Sequence, residues 1–154
     1  MPKNVLITGG AGYLGTVITE LLLSKGYKVC IYDNLMYDSK ILIPFFSNEN
    51  FSFIKGDIMD KPSLNNAIAK SDVVIHLAAI VGYFACLKNE RLTKDINVSG
   101  TKNVIELMND DQYLLFGSTG SNYGEVDGIC TEETPLNPST LYGVTKTDAE
   151  RLVM

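Results

Sequence analysis

Val5-Leu6-Ile7-Thr8-Gly9-Gly10-Ala11-Gly12-Tyr13-Leu14-Gly15 decides how the rest of the chain is read. A short apolar run passes into glycines spaced as GxxGxxG, at Gly9, Gly12 and Gly15, and then into a stretch of helical period. Between a strand and a helix each glycine has a physical role. One permits the tight turn off the strand, one lets the backbone approach a pyrophosphate, and one lets the helix pack closely on the sheet. The free N–H groups of the first helical turn, around Tyr13 and Leu14, then face the anion with the helix dipole behind them. No Gly-Lys-Ser/Thr follows, so this is not a P-loop.

Outward from the loop, apolar runs alternate with helical patterns, the signature of βαβ units and a parallel sheet. Strands are expected at Val5–Ile7, Lys28–Tyr32, Phe51–Ile54, Val73–Leu77 and Tyr113–Phe116. Helices are expected over Tyr13–Ser24, from Asp60-Lys61-Pro62 to Ala69, over Leu92–Met108 with Ile96, Val104, Ile105 and Met108 inward, and from Asn137-Pro138 towards Met154. The stretches 34–50 and 118–137 read as long irregular connections, a common place for function. Right-handed crossovers then give an α/β, Rossmann-type doubly wound parallel sheet with its ligand at the carboxyl ends of the strands.

Composition bounds the function. The chain has 154 residues, one domain's worth, with 45% hydrophobic and 20% charged residues. A net charge of −5 and only Arg91 and Arg151 as arginines argue against nucleic acid or an anionic membrane as partner. Cys30, Cys86 and Cys130 are far apart and odd in number, which fits reduced thiols and a cytoplasmic setting. His76 is the one histidine, so a Ser-His-Asp triad on another residue and a multi-histidine metal site are excluded, and no metal is expected. His76 itself, flanked by apolar residues, reads as structural.

Asp33 closes the second strand. A carboxylate there can accept both ribose hydroxyl protons of an adenosine and would repel a 2′-phosphate, so NAD is expected over NADP. The competing reading is a turn aspartate, since Asp-Asn is a common turn pair. Tyr142 and Lys146, at i and i+4, share one helix face. Such a pair suits proton transfer, because a free tyrosine near pKa 10 is a poor base and a nearby ammonium favours the phenolate. The pair alone is a weak motif, and its position behind the fifth strand and the glycine loop strengthens it.

Thr8–Gly15, Asp33-Asn34-Leu35, Gly56-Asp57-Ile58, His76-Leu77-Ala78-Ala79, Asn97-Val98-Ser99-Gly100-Thr101 and Tyr142-Gly143-Val144-Thr145-Lys146 stand in the order found in NAD-dependent epimerase/dehydratases, which the whole chain resembles. These are extended short-chain dehydrogenase/reductases acting on nucleotide sugars. The resemblance implies that Asn34, Asp57 and Ile58 border the adenosine, that Leu77, Ala78 and Ala79 line the dinucleotide, and that Asn97 supports the active site. Thr119 would complete a Thr/Tyr/Lys catalytic set, with Ser118 as the reserve. Dehydratases of the family carry Asp-Glu after that threonine, where Gly120-Ser121 stand here, so an NAD-dependent nucleotide-sugar epimerase is the expected activity. A dehydratase, reductase or decarboxylase, or a chain that only binds dinucleotide, remains the alternative. Family members are longer and often pair through the 92–108 and 137–154 helices. Residues 1–154 therefore read as an NAD-binding domain truncated before a C-terminal substrate domain, with a homodimer as the implied assembly.

Overall fold

Along β1 (Asn4–Thr8), Val5 and Ile7 point to one face of the sheet and Leu6 to the other, and all three are essentially removed from water. Two-sided burial is what a parallel sheet clothed in helices demands. The computed structural model describes residues 3–37 and 40–154. β2 (Lys28–Asp33), β3 (Phe51–Lys55), β4 (Val73–His76) and β5 (Tyr113–Phe116) join β1 in one parallel sheet of order β3-β2-β1-β4-β5. The chain winds from β1 to β3 and then crosses back to β4, so the winding reverses between β1 and β4. Their carboxyl ends form the switch-point crevice where ligands bind on such sheets.

Helix α1 (Tyr13–Ser24) lies over the face carrying Val5, Ile7 and Val29, and Leu23 packs into that core. On the other face Leu6, Tyr32 and Val74 meet Leu64 and Ile68 of α2 (Lys61–Ile68) and Val104 of α5 (Thr101–Leu107). Each such fully buried aliphatic side chain contributes roughly 1.5–3 kcal/mol of transfer free energy. Asp60 caps α2 by accepting from Ser63 N at 3.3 Å, with Pro62 in the first turn, as its sequence signals imply.

Expectations for two of the helices are corrected. The long helix begins at Glu90, two residues early, where Asn89 accepts from Leu92 N at 3.0 Å. It is not continuous α-helix: α4 (Glu90–Lys94) and α5 are joined by a π-helical segment, Asp95–Gly100. The wider turn falls where buried Asn97 reaches out of the helix and the Thr101 hydroxyl bonds Asn97 O at 2.7 Å. Ile96 and Val104 are buried, but Ile105 and Met108 are only half-buried, because Thr93, Asn97 and Thr101 take inward positions.

The last helix, α6 (Leu141–Val153), starts after Asn137-Pro138 rather than at it. Asn137 N is held by Asn122 O at 2.9 Å, which keeps that stretch extended, and the helix begins where the Thr140 hydroxyl accepts from Gly143 N at 3.0 Å. The irregular stretches also hold structure of their own, 3-10 turns at Lys40–Ser47 and Gly120–Asn122, and a short helix not read from the sequence, α3 (Tyr83–Lys88), follows β4.

Candidate dinucleotide and catalytic site

Gly9 leaves β1 with φ +70°, and a Cβ there would sit 2.5 Å from Ala78 N in the loop after β4. Glycine is thus what lets the β1 and β4 ends close together. Gly15 serves the packing: a Cβ would lie 2.5 Å from Gly10 Cα, so α1 presses directly on the turn. Gly12 differs. Its φ is −78°, and a Cβ would find only Gly9 O within 4 Å, at 3.3 Å. No side chain caps α1, leaving its first N–H groups open to the space in front. That is the cradle a pyrophosphate requires.

In front of the loop lies a cleft of about 640 Å³, within the range of small-molecule sites. Gly9, Gly12, Tyr13, Leu14, Gly15, Asp33, Asn34, Asp57, Ile58, Leu77, Ala78, Ala79, Tyr142 and Lys146 all line it. Sequence positions spread over the whole chain are therefore brought to one crevice.

Asp33 also has a structural role. One carboxylate oxygen accepts from Ala11 N at 3.1 Å, the other from Leu35 N at 2.8 Å, where Leu35 takes φ +61°. It ties the glycine loop to the turn after β2, and the lone pairs that remain are free for ribose hydroxyls. Asn34 Nδ2 donates to Asp57 Oδ2 at 3.1 Å, and Asp57 Oδ1 accepts from Met59 N at 2.9 Å, so the two loops at the β2 and β3 ends are joined.

Two expected residues stand behind the cleft rather than in it. Asn97 Oδ1 accepts from Ile80 N at 2.8 Å, while its Nδ2 donates to Ile80 O at 3.1 Å and Thr145 Oγ1 at 3.0 Å. It clamps the loop after β4 to α6. Thr119 does not line the cleft, but it stands close enough to the Tyr142 side chain to lower the phenol's pKa. Ser118 does line it, and donates to Glu150.

Lys146 is buried, with Nζ 3.8 Å from the centre of the Phe116 ring. Burial lowers its pKa to about 8, against a smaller upward pull from Glu150. Tyr142 departs from expectation. Burial, the larger effect, raises its pKa; the nearby Thr119 side chain lowers it, and Cys86 raises it. The Lys146 ammonium, whose Nζ lies over the Phe116 ring, is not among the groups that shift it.

His76 is fully buried between two hydroxyls, with Nδ1 2.6 Å from Thr8 Oγ1 and Nε2 3.0 Å from Thr101 Oγ1. Thr101's only hydroxyl proton goes to Asn97 O, so Nε2–H must donate to Thr101, and Nδ1 accepts from Thr8. The neutral Nε2–H tautomer thus locks the β1 and β4 ends together, a structural role.

Sheet topology, switch-point cleft and capless glycine turn together define a dinucleotide-binding doubly wound α/β protein. Residues 5–154 match the NAD dependent epimerase/dehydratase family, and the chain belongs to that family. It is 36% identical over 97% of its length to a putative UDP-glucose 4-epimerase of Methanocaldococcus jannaschii, covering 49% of that protein. It is 34% identical over 94% of its length to UDP-glucose 4-epimerase 2 of Oryza sativa subsp. japonica, covering 38% of it. UDP-glucuronic acid 4-epimerase of Bacillus cereus, solved with UDP-glucuronic acid and NAD, superimposes with TM-score 0.89 at 30% identity, over 97% of this chain and 50% of that one. The chain spans about half the length, or less, of these relatives. Among the described residues no helix is long and apolar enough to cross a membrane.

Proposed function

We propose that this chain binds NAD in the cleft and supplies the cofactor domain and catalytic set of a nucleotide-sugar epimerase. The observation that carries the reading is the convergence of an uncapped glycine turn, Asp33, Tyr142 and Lys146 on one crevice, with Thr119 beside Tyr142 behind the lining. NAD, when bound, supplies the acceptor and later the donor of a hydride. The α1 N-terminus holds the pyrophosphate, Asp33 the adenosine ribose, and Lys146 the nicotinamide ribose. Tyr142 takes the proton of a sugar hydroxyl, with the Thr119 hydroxyl relaying it, and returns it after the keto-sugar has turned over. Gly120-Ser121, in place of the Asp-Glu of dehydratases, leaves no acid–base pair for water loss and favours epimerisation. Pairing of two copies through α4–α5 and α6 belongs to the same reading.

Calorimetric titration with NAD⁺ and NADP⁺ tests the cofactor. NAD⁺ is expected to bind in preference, and Asp33→Ala to weaken it by roughly ten- to a hundredfold. That loss combines charge-assisted hydrogen bonds worth about 1.5–3 kcal/mol with a loosened glycine loop. Equal affinity for NADP⁺, or an unaffected variant, would remove Asp33 from the site. Proton NMR of the NAD-loaded protein with UDP-glucose should show its C4 epimer accumulating. NAD binding with no epimer would support the second reading, a chain that only binds dinucleotide, which its half-length coverage of relatives makes worth separating.

A further inference from the structure

Tyr142, Lys146 and Glu150 stand at i, i+4 and i+8 on α6, one stripe facing the end of β5. The first two belong to the proposed catalytic set and the third does not. Yet Glu150 is not a solvated helix residue. It is half-buried, and its Oε2 accepts from Ser118 Oγ and, at 2.7 Å, from Asn122 Nδ2. Asn122, itself buried, also donates to Ser118 Oγ at 3.1 Å. One carboxylate therefore closes a three-membered network across the turn that follows β5. Thr119 sits inside that turn, between Ser118 and Asn122, with its own hydroxyl accepting from Ser121 N at 3.2 Å and its side chain near enough to Tyr142 to lower the phenol's pKa.

We infer that Glu150 is the positioning residue of this site: it anchors the Ser118–Asn122 turn so that Thr119 meets Tyr142, and its negative charge stands behind the Lys146 ammonium. This deepens the proposed function and rests on that reading for its catalytic meaning. The need for such a charge follows from the surroundings of Lys146. Its Nζ lies over the Phe116 ring, and the neutral His76 faces it from β4. Tyr142 and Glu150 flank it along α6, while the adjacent Thr145 meets the uncharged Asn97 of the π segment. Of these groups Glu150 alone carries a carboxylate. Burial disfavours the ammonium, and Glu150 opposes that by attraction through space. Hydrogen-bonding its carboxylate to Ser118 and Asn122 keeps the charge in place without an ion pair that would pull Lys146 out of the cleft.

Two variants separate the two roles. Glu150→Gln keeps an acceptor oxygen for the Ser118–Asn122 turn and removes the charge; Glu150→Ala removes both. In protein carrying carbon-13 lysine, the Lys146 Cε signal, assigned with Lys146→Arg, is followed by NMR from pH 6 to 11. The midpoint should fall in both variants by about one unit, a tenfold weaker hold on the proton. Thr119 and Ser121 amide shifts should move in Glu150→Ala and stay in Glu150→Gln. An unchanged Lys146 midpoint in Glu150→Gln overturns the charge role, and unmoved Thr119 shifts in Glu150→Ala overturn the anchoring role. If Glu150→Ala does not fold, the anchoring role is read from Glu150→Asp, whose shorter side chain should move the same shifts. None of these readings uses NAD, so failure of the proposed function would show separately, as wild-type protein that does not bind it.

Discussion

Gly9→Ala is expected to destabilise the protein by about 3–5 kcal/mol, close to what a domain of this size has to lose. Two effects add. An alanine at φ +70° carries the left-handed penalty of roughly 1–2 kcal/mol. Its Cβ would also meet Ala78 N at 2.5 Å, Ala78 Cα at 2.6 Å and Leu77 C at 2.8 Å, all backbone, so no side chain can swing away. Relief requires parting β1 from β4, where the sheet is most buried. Gly26→Ala is the control for the first effect alone: φ is +78° but nothing lies within 4 Å. It should cost only about 1 kcal/mol. Gly12→Ala, with ordinary φ and a single Cβ contact, Gly9 O at 3.3 Å, should cost less stability than Gly9→Ala while weakening NAD binding. Urea melts of the three variants check this ordering, and a Gly9 variant no worse than Gly26→Ala would refute the close-packing argument.

Acid should unfold the protein through its single histidine. Burial, with a smaller contribution from the nearby Lys146 ammonium, lowers the His76 pKa from 6.5 to about 3. Between those values the unfolded chain binds a proton that the folded chain refuses. The stability due to neutral His76 is therefore complete above pH 6.5 and is lost progressively as pH falls towards 3. At 1.36 kcal/mol per pKa unit the whole window is worth at most about 5 kcal/mol. Structurally, a second ring proton would displace the Thr8 hydroxyl from Nδ1 and loosen the β1–β4 closure that Gly9 makes possible. With one histidine in the chain, its ring resonances are unambiguous. They should not titrate between pH 8 and 5 while the protein is folded, and denaturant midpoints should fall over the same range. A histidine midpoint near 6.5 in the folded state would show that the ring is not held as described.

Much of the cofactor side was legible because its signals are local. Helix α1 spans the predicted Tyr13–Ser24, and all five strands lie within a residue or so of their apolar runs. A glycine turn between a strand and a helix, and an aspartate at the next strand's end, are written in consecutive residues. The resemblance supplied Thr119 and Asn97, which spacing alone does not single out. Less was legible where long-range contacts decide. Asn137-Pro138 looked like a helix start, but the hydrogen bond from Asn137 to Asn122 across the fold keeps it extended. Glu150 could have been noticed one turn beyond Lys146, yet its partners, Ser118 and Asn122, lie in a loop that shows no periodicity.

By itself the sequence determined the alternation of strands and helices, the doubly wound class and the phosphate-binding turn, because hydrophobic period and glycine geometry act over a few residues. Only the tertiary structure decided that Lys146 is buried on Phe116 with a pKa of about 8, that burial is the largest effect on Tyr142, and that Asn97 and Thr119 stand behind the cleft lining. Desolvation and through-space charge depend on what surrounds a group from every side, and those surroundings come from residues far apart in the chain.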